Sequence, residues 1–212
     1  MRGMSPRLLL GCGIALCLFG TAVALAVALS GDSKPRAADA AALPSGKFAG
    51  PLMPRNLRAA DFTLTDQRGR TARLADTRGR VVVLTFLHSQ CHSTCPVTVQ
   101  TIRGALDDIG AQRHSVDAFA ISVAPHEDTP ASVRRFVAVQ HAGSFLRYLT
   151  GPRRALARVW KRYGIRPQGP GGEDHTAFVL LVDRRGLLRV GFPAHGVTPE
   201  TLAHDLRLLV AE

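Results

Sequence analysis

The stretch Val81–Leu87 reads Val-Val-Val-Leu-Thr-Phe-Leu, and it runs into Cys91-His92-Ser93-Thr94-Cys95-Pro96. It lacks the alternation of a half-exposed strand, so it reads as a strand buried on both faces. That is the condition of a central strand in a sheet covered by helices. Pro96, with Val97, Ile102, Leu106 and Ile109 behind it and Gly110 after it, predicts a helix over Pro96–Ile109. Cys91 and Cys95 thus fall where a central strand hands over to a helix. Thiols at a helix N-terminus feel the positive end of its dipole, which favours the thiolate. If the two residues share one helical turn, both sulfurs can reach a common atom.

The rest of the chain supplies partners for that strand. Asp61–Thr65 alternates, Asp66-Gln67-Arg68-Gly69 turns and Thr71–Leu74 follows, which predicts a small hairpin. Val116–Val123 is a second buried strand, and Thr129 caps a helix over Pro130–His141. A short strand at Phe145–Leu149 precedes a helix over Pro152–Tyr163, with Leu156, Val159, Trp160 and Tyr163 on one stripe and Gly164 as its stop. Thr176–Asp183 and Leu187–Phe192 pair around Arg184-Arg185-Gly186, and Thr198 caps a last helix to about Val210. This order predicts an α/β domain: a thioredoxin-like mixed sheet flanked by helices, with an N-terminal β-hairpin.

The N-terminus is of another kind. Leu8–Leu29 is uncharged over 22 residues and follows Arg2 and Arg7. At about 1.5 Å per residue it can span a hydrocarbon core of roughly 30 Å, and it exceeds the usual apolar region of a cleaved signal. Residues 1–30 are therefore expected to be a membrane anchor or signal sequence, with an uncleaved single-pass helix favoured and the soluble domain extracytoplasmic. Cleavage after Ala26-Val27-Ala28 or Ala38-Asp39-Ala40, and lipidation at Cys12, remain open. Cys12 and Cys17 read as small hydrophobes within this segment. Residues 31–55, rich in Ala, Pro, Gly and Ser, are expected to be a flexible linker, and 56–212 the folded domain.

Several function classes drop out. Four cysteines in 212 residues make no disulfide scaffold. The net charge of +11, from 27 Lys and Arg against 16 Asp and Glu, comes without an aromatic-interleaved basic patch, so nucleic acid is not the expected partner. No carboxylate pair, Ser-His-Asp set or phosphate loop is present. Gly169-Pro170-Gly171-Gly172 lacks the strand and helix that a phosphate loop requires.

Three chemistries suit two cysteines in a polar stretch. Thiol–disulfide exchange normally uses two intervening residues, and here there are three. Glu173-Asp174-His175, ahead of the next central strand, holds no proline to face a dithiol. A peroxidase loop is not supplied by His88-Ser89-Gln90. Two thiolates and the His175 imidazole make a soft three-donor set that suits Cu(I) and can also hold Cu(II). Zinc stays open, since His92 or His88 could serve as a fourth ligand. Asp174 could orient His175. His126, beside Glu127 and Asp128, is a further candidate. With Met1, Met4 and Met53 the only methionines, a methionine-rich copper motif is absent.

From about Ala60 to the C-terminus the sequence resembles the Sco/SenC copper chaperones of cytochrome c oxidase assembly. The resemblance rests on Asp61-Phe62-Thr63-Leu64, the apolar strand before Cys91, and Cys91-x-x-x-Cys95-Pro96. It continues through Ile121-Ser122-Val123-x-Pro125-x-x-Asp128-Thr129, Leu149-Thr150-Gly151 and Asp174-His175-Thr176. It implies Cys91, Cys95 and His175 as copper ligands. It implies a metallochaperone rather than an enzyme, tethered in the membrane by its N-terminal helix, with the domain on the periplasmic side. The implied partner is the copper-bearing subunit of cytochrome c oxidase, for its CuA centre, or another cuproprotein. The alternative is a thiol–disulfide oxidoreductase, with Cys91 and Cys95 catalytic, that keeps client cysteines reduced for copper insertion. The chain departs from the family pattern at His92, where Pro is usual, at Leu87-His88-Ser89, where Gly-aromatic-Thr is usual, and at Ala124, where Asp is usual.

Overall fold

The computed structural model describes residues 48–169 and 177–212. Seven strands form one sheet: β1 (Thr63–Asp66), β2 (Thr71–Arg73), β3 (Val81–Leu87), β4 (Val116–Ser122), β5 (Leu146–Thr150), β6 (Phe178–Val182) and β7 (Leu188–Pro193). Their spatial order is β2-β1-β5-β4-β3-β6-β7. Four α-helices accompany them: α1 (Thr94–Asp108), α2 (Pro130–Val139), α3 (Arg153–Tyr163) and α4 (Pro199–Ala211).

β3 lies at the heart of the sheet, parallel to β4 and antiparallel to β6. Its side chains alternate between two cores, which is why the run is apolar at every position but Thr85. Val81, Val83 and Leu87 pack with residues of α1, α2 and α4. Val82, Leu84 and Phe86 pack on the other face with Leu156, Val159 and Trp160 of α3 and with Phe62 and Leu64 of β1. Thr85, the polar residue of the run, donates its hydroxyl to the Phe178 carbonyl at 2.9 Å. β1 and β2 pair antiparallel and extend the sheet through β5.

The helix caps follow the sequence. The Thr129 hydroxyl accepts from the Ser132 amide at 3.2 Å, and the Thr198 hydroxyl accepts from the Thr201 amide at 3.3 Å. α2 ends at Val139, two residues before the expected His141, which takes a left-handed φ of 48°. α1 starts at Thr94, so Cys95 already lies in its first turn.

Packing reaches upstream of Asn56. The Ala49 and Gly50 amides donate to the Asp205 carboxylate at 2.6 and 3.0 Å, and the Met53 amide donates to the Arg189 carbonyl at 2.9 Å. Among the described residues, no helix is long and apolar enough to cross a membrane. The expected N-terminal span, Leu8–Leu29, lies outside them.

Candidate metal centre

Parallel strands of an α/β sheet present binding sites beyond their C-terminal ends. The β3–α1 loop, with Cys91, and the β4–α2 loop, with Asp128, both leave the sheet at that edge. β6 runs antiparallel to β3, so its first residues lie at the same edge.

Cys91 and Cys95 do not share a helical turn, as the four-residue spacing suggested. Cys91 precedes α1, and Cys95 is the helix's second residue. They still come together, because the Cys91 sulfur takes over a capping role. Ser93, the residue at the N-cap, makes no side-chain cap bond. Instead the Cys95 amide points at the Cys91 sulfur at 3.5 Å, so the sulfur accepts from a helix amide that has no partner within the helix. The Cys91 sulfur also lies 3.6 Å from the Ser93 hydroxyl. The Cys95 sulfur accepts from the His88 amide at 3.5 Å. Cys91 and Cys95 form no disulfide with any described residue.

The two thiols differ in character. Cys91 is half-buried, and burial opposes its ionisation. The Cys95 and Ser93 amides and the Ser93 hydroxyl outweigh that penalty and hold its pKa below the ordinary thiol value. Cys95 is only 1% exposed. Burial pushes its pKa well up, against the relief given by the His88 amide, and the Cys91 sulfur and the Asp128 carboxylate add to the rise. The metal-free site therefore pairs one accessible, thiolate-prone sulfur with one buried thiol.

A buried polar brace lies beneath the loop. Asp128 is 4% exposed and accepts from the Ser89 amide at 2.8 Å through Oδ1. Its Oδ2 lies 2.9 Å from the Tyr148 hydroxyl, which is also 2.9 Å from the Leu87 carbonyl. Burial, then the Asp128 charge, raises the Tyr148 pKa, so the phenol stays protonated and donates. In the sequence Asp128 stands out only as part of the family motif, without a role, and Tyr148 does not stand out. Tyr148 sits in a strand and reads as core, although a buried tyrosine needs a partner for its hydroxyl. Ala124 is buried and offers no side-chain oxygen, so Asp128 is the acid that this loop sets under the cysteine loop.

The other histidines named from sequence go elsewhere. His88 is buried, with Nε2 2.9 Å from Glu127 Oε2. The contact lacks hydrogen-bond geometry, so His88 Nε2 is a buried ring nitrogen without a hydrogen-bond partner among the described residues. His92 is exposed. His126 Nε2 lies 3.2 Å from the Arg153 guanidinium. Among the described residues, no group of three or more His, Cys, Asp and Glu is placed to hold a metal ion. Neither His88 nor His92 thus completes such a group with the two cysteines. His175 and Asp174 lie outside the described residues. On either side of them, the Gln168 amide bonds the Val123 carbonyl at 3.1 Å, and Phe178 bonds Thr85.

A family model described as SCO1/SenC matches residues 52–211. The chain belongs to the SCO1/SenC family. The mixed sheet flanked by helices is the family's thioredoxin-like fold. Among solved relatives is Bradyrhizobium japonicum ScoI with copper bound, 30% identical, with a TM-score of 0.61 over 72% of this chain and 99% of that one. The apo Sco1 protein from Thermus thermophilus is 26% identical, with a TM-score of 0.63 over 77% of this chain and 97% of that one. The mitochondrial SCO2 homologue of Bos taurus is 32% identical over 136 residues, 60% of this chain and 50% of that protein. The chain thus spans about half the length of this bovine relative.

Proposed function

We propose that this chain is a copper metallochaperone and not an enzyme. Cu(I) is held by the Cys91 and Cys95 thiolates and the His175 imidazole, and the same donors also accept Cu(II). The observation that carries the reading is the pair of cysteine sulfurs brought together at the C-terminal sheet edge, one capping α1 and the other receiving the His88 amide. Sulfur donors of this kind favour Cu(I). Support for His175 comes from the chain around it: Gln168 and Phe178 are both bonded at the edge that bears the cysteines. The relative from Bradyrhizobium has copper bound. The recipient is the copper-bearing subunit of cytochrome c oxidase, for its CuA centre, or another cuproprotein. The N-terminal helix tethers the domain to the membrane on its extracytoplasmic side. Anaerobic Cu(I) titration of the reduced full-length chain in detergent micelles tests this. One copper per chain, lost in Cys91→Ala and in Cys95→Ala, is expected; undiminished binding by both variants contradicts it.

The inequality of the two thiols favours a second reading, reduction of a client disulfide. The Cys91 thiolate attacks the client disulfide and releases one client sulfur as a thiolate. Cys95, passing its proton to that released thiolate, then attacks the Cys91 sulfur and releases the second client sulfur as a thiolate. The client gains two electrons, and a Cys91–Cys95 disulfide remains. The reduction potential of that disulfide and its turnover with a client peptide separate the readings. A disulfide inert to client thiols argues against this one.

A further inference from the structure

Beside Cys91, α1 and α2 leave an open groove of about 720 Å³. Cys91, His92 and Pro96 line one part of it, and Arg135, Phe136 and Val139 of α2 line another. It is bordered by side chains that a solvated surface does not explain. Among the described residues only four large hydrophobics are exposed, and one of them, Val139 at 65%, stands in the groove wall; Val97, at 63%, follows Pro96 on α1 without lining the groove. Exposed apolar side chains gathered at a reactive group mark a contact surface more often than scattered ones do.

The charge of the groove is one-sided. No Asp or Glu lines it. The Arg135 side chain is exposed and has no hydrogen bond or ion pair with any described residue. Exposed Arg134 and Arg158 share that freedom away from the groove lining, whereas Arg103 is committed to the Gln140 and His141 carbonyls, Arg80 to Asp117 and Arg147 to Asp66. The groove thus offers an apolar strip, one unspent guanidinium and, at its end, the accessible sulfur of the pair.

We propose that this groove docks an extended segment of the copper-receiving protein, one with an apolar side chain beside a carboxylate and a cysteine that reaches Cys91. This rests on the metallochaperone reading and adds how the recipient is recognised. The apolar side chain covers Val139 and Phe136, the carboxylate pairs with Arg135, and the docked cysteine lies beside Cys91, where it can take copper from that sulfur. Transfer is then ligand exchange. A copper–sulfur bond to the recipient forms as the bond to Cys91 breaks and the recipient thiol's proton ends on Cys91. The bonds to Cys95 and His175 then exchange in turn for further recipient donors, a second recipient thiol passing its proton to Cys95, and copper stays Cu(I).

The test uses the full-length chain, reduced and metal-free in detergent micelles. The probe is a fluorescein-labelled peptide carrying leucine, glutamate and, in place of its cysteines, serines, so that docking is read apart from metal. Wild type is expected to raise its anisotropy saturably. Arg135→Glu and Val139→Asp should each weaken binding about tenfold, and a lysine-for-glutamate peptide should prefer the Arg135→Glu protein. Both positions are exposed, so circular dichroism should match wild type. No binding by wild type, or equal binding by wild type and both variants, overturns the proposal. Cu(I) titration of the same samples keeps the two questions apart. Peptide binding without copper binding fails the metallochaperone reading alone; copper binding without peptide binding fails the groove alone.

Discussion

The Tyr148 hydroxyl lies 2.9 Å from Asp128 Oδ2, and both side chains are buried directly beneath the loop that carries Cys91. Through Asp128 Oδ1 and the Ser89 amide, and through the Leu87 carbonyl, this contact ties β5 to the end of β3 and to the β4–α2 loop. Tyr148→Phe keeps the ring and removes the hydroxyl. It should cost about 1–2 kcal/mol in urea denaturation, and Asp128→Ala about 2–3 kcal/mol, since it orphans the buried Ser89 amide and leaves the Tyr148 hydroxyl with the Leu87 carbonyl alone. Equal stability of all three proteins would show that the brace carries no load.

Cys91 and Cys95 should separate in reactivity. In reduced, metal-free protein, iodoacetamide should label Cys91 first, because it is accessible and its thiolate is favoured, whereas Cys95 is 1% exposed with a raised pKa. As pH falls from the ordinary thiol range, Cys91 labelling should persist below the pH at which a free cysteine stops reacting. Peptide mass mapping reads both sites, and equal labelling of the two contradicts the described asymmetry.

Asp66 predicts an acid-dependent loss of stability away from the site. Its side chain is fully buried. Burial opposes its charge, but the Arg70 and Arg68 amides and the Arg147 guanidinium hold its pKa below the ordinary carboxylate value. The folded pKa lies below the unfolded one of about 3.9, so the stabilisation is complete above that pH and fades as pH falls through the folded value. Asp66→Asn should therefore cost about 2 kcal/mol at neutral pH, a gap that closes below about pH 4. Thermal unfolding across pH measures it, and a gap that is constant with pH contradicts it.

The strands and helices were readable because their signals are local. Val81–Leu87 needs no context to read as a doubly buried strand, and Thr129 and Thr198 announce their helices as caps. The cysteines were readable as a site because Cys91-His92-Ser93-Thr94-Cys95 is polar where the neighbouring strand is apolar. What spacing misjudged was how the sulfurs meet. α1 begins at Thr94, because a sulfur acceptor before it satisfies the Cys95 amide, and no periodicity encodes that exchange. The Asp128–Tyr148 brace was hidden for a related reason. Its residues are 20 apart in sequence, and only the parallel pairing of β4 with β5 brings the loop after β4 beside Tyr148.

The central claim is a copper ion shared by two cysteine sulfurs and one histidine nitrogen. X-ray absorption at the copper edge of the Cu(I)-loaded full-length chain, compared with His175→Ala, tests it most directly. Two sulfur scatterers and one imidazole nitrogen in wild type, with the nitrogen lost in His175→Ala, is the predicted result. A wild-type spectrum with no imidazole nitrogen, or one unchanged by His175→Ala, contradicts it.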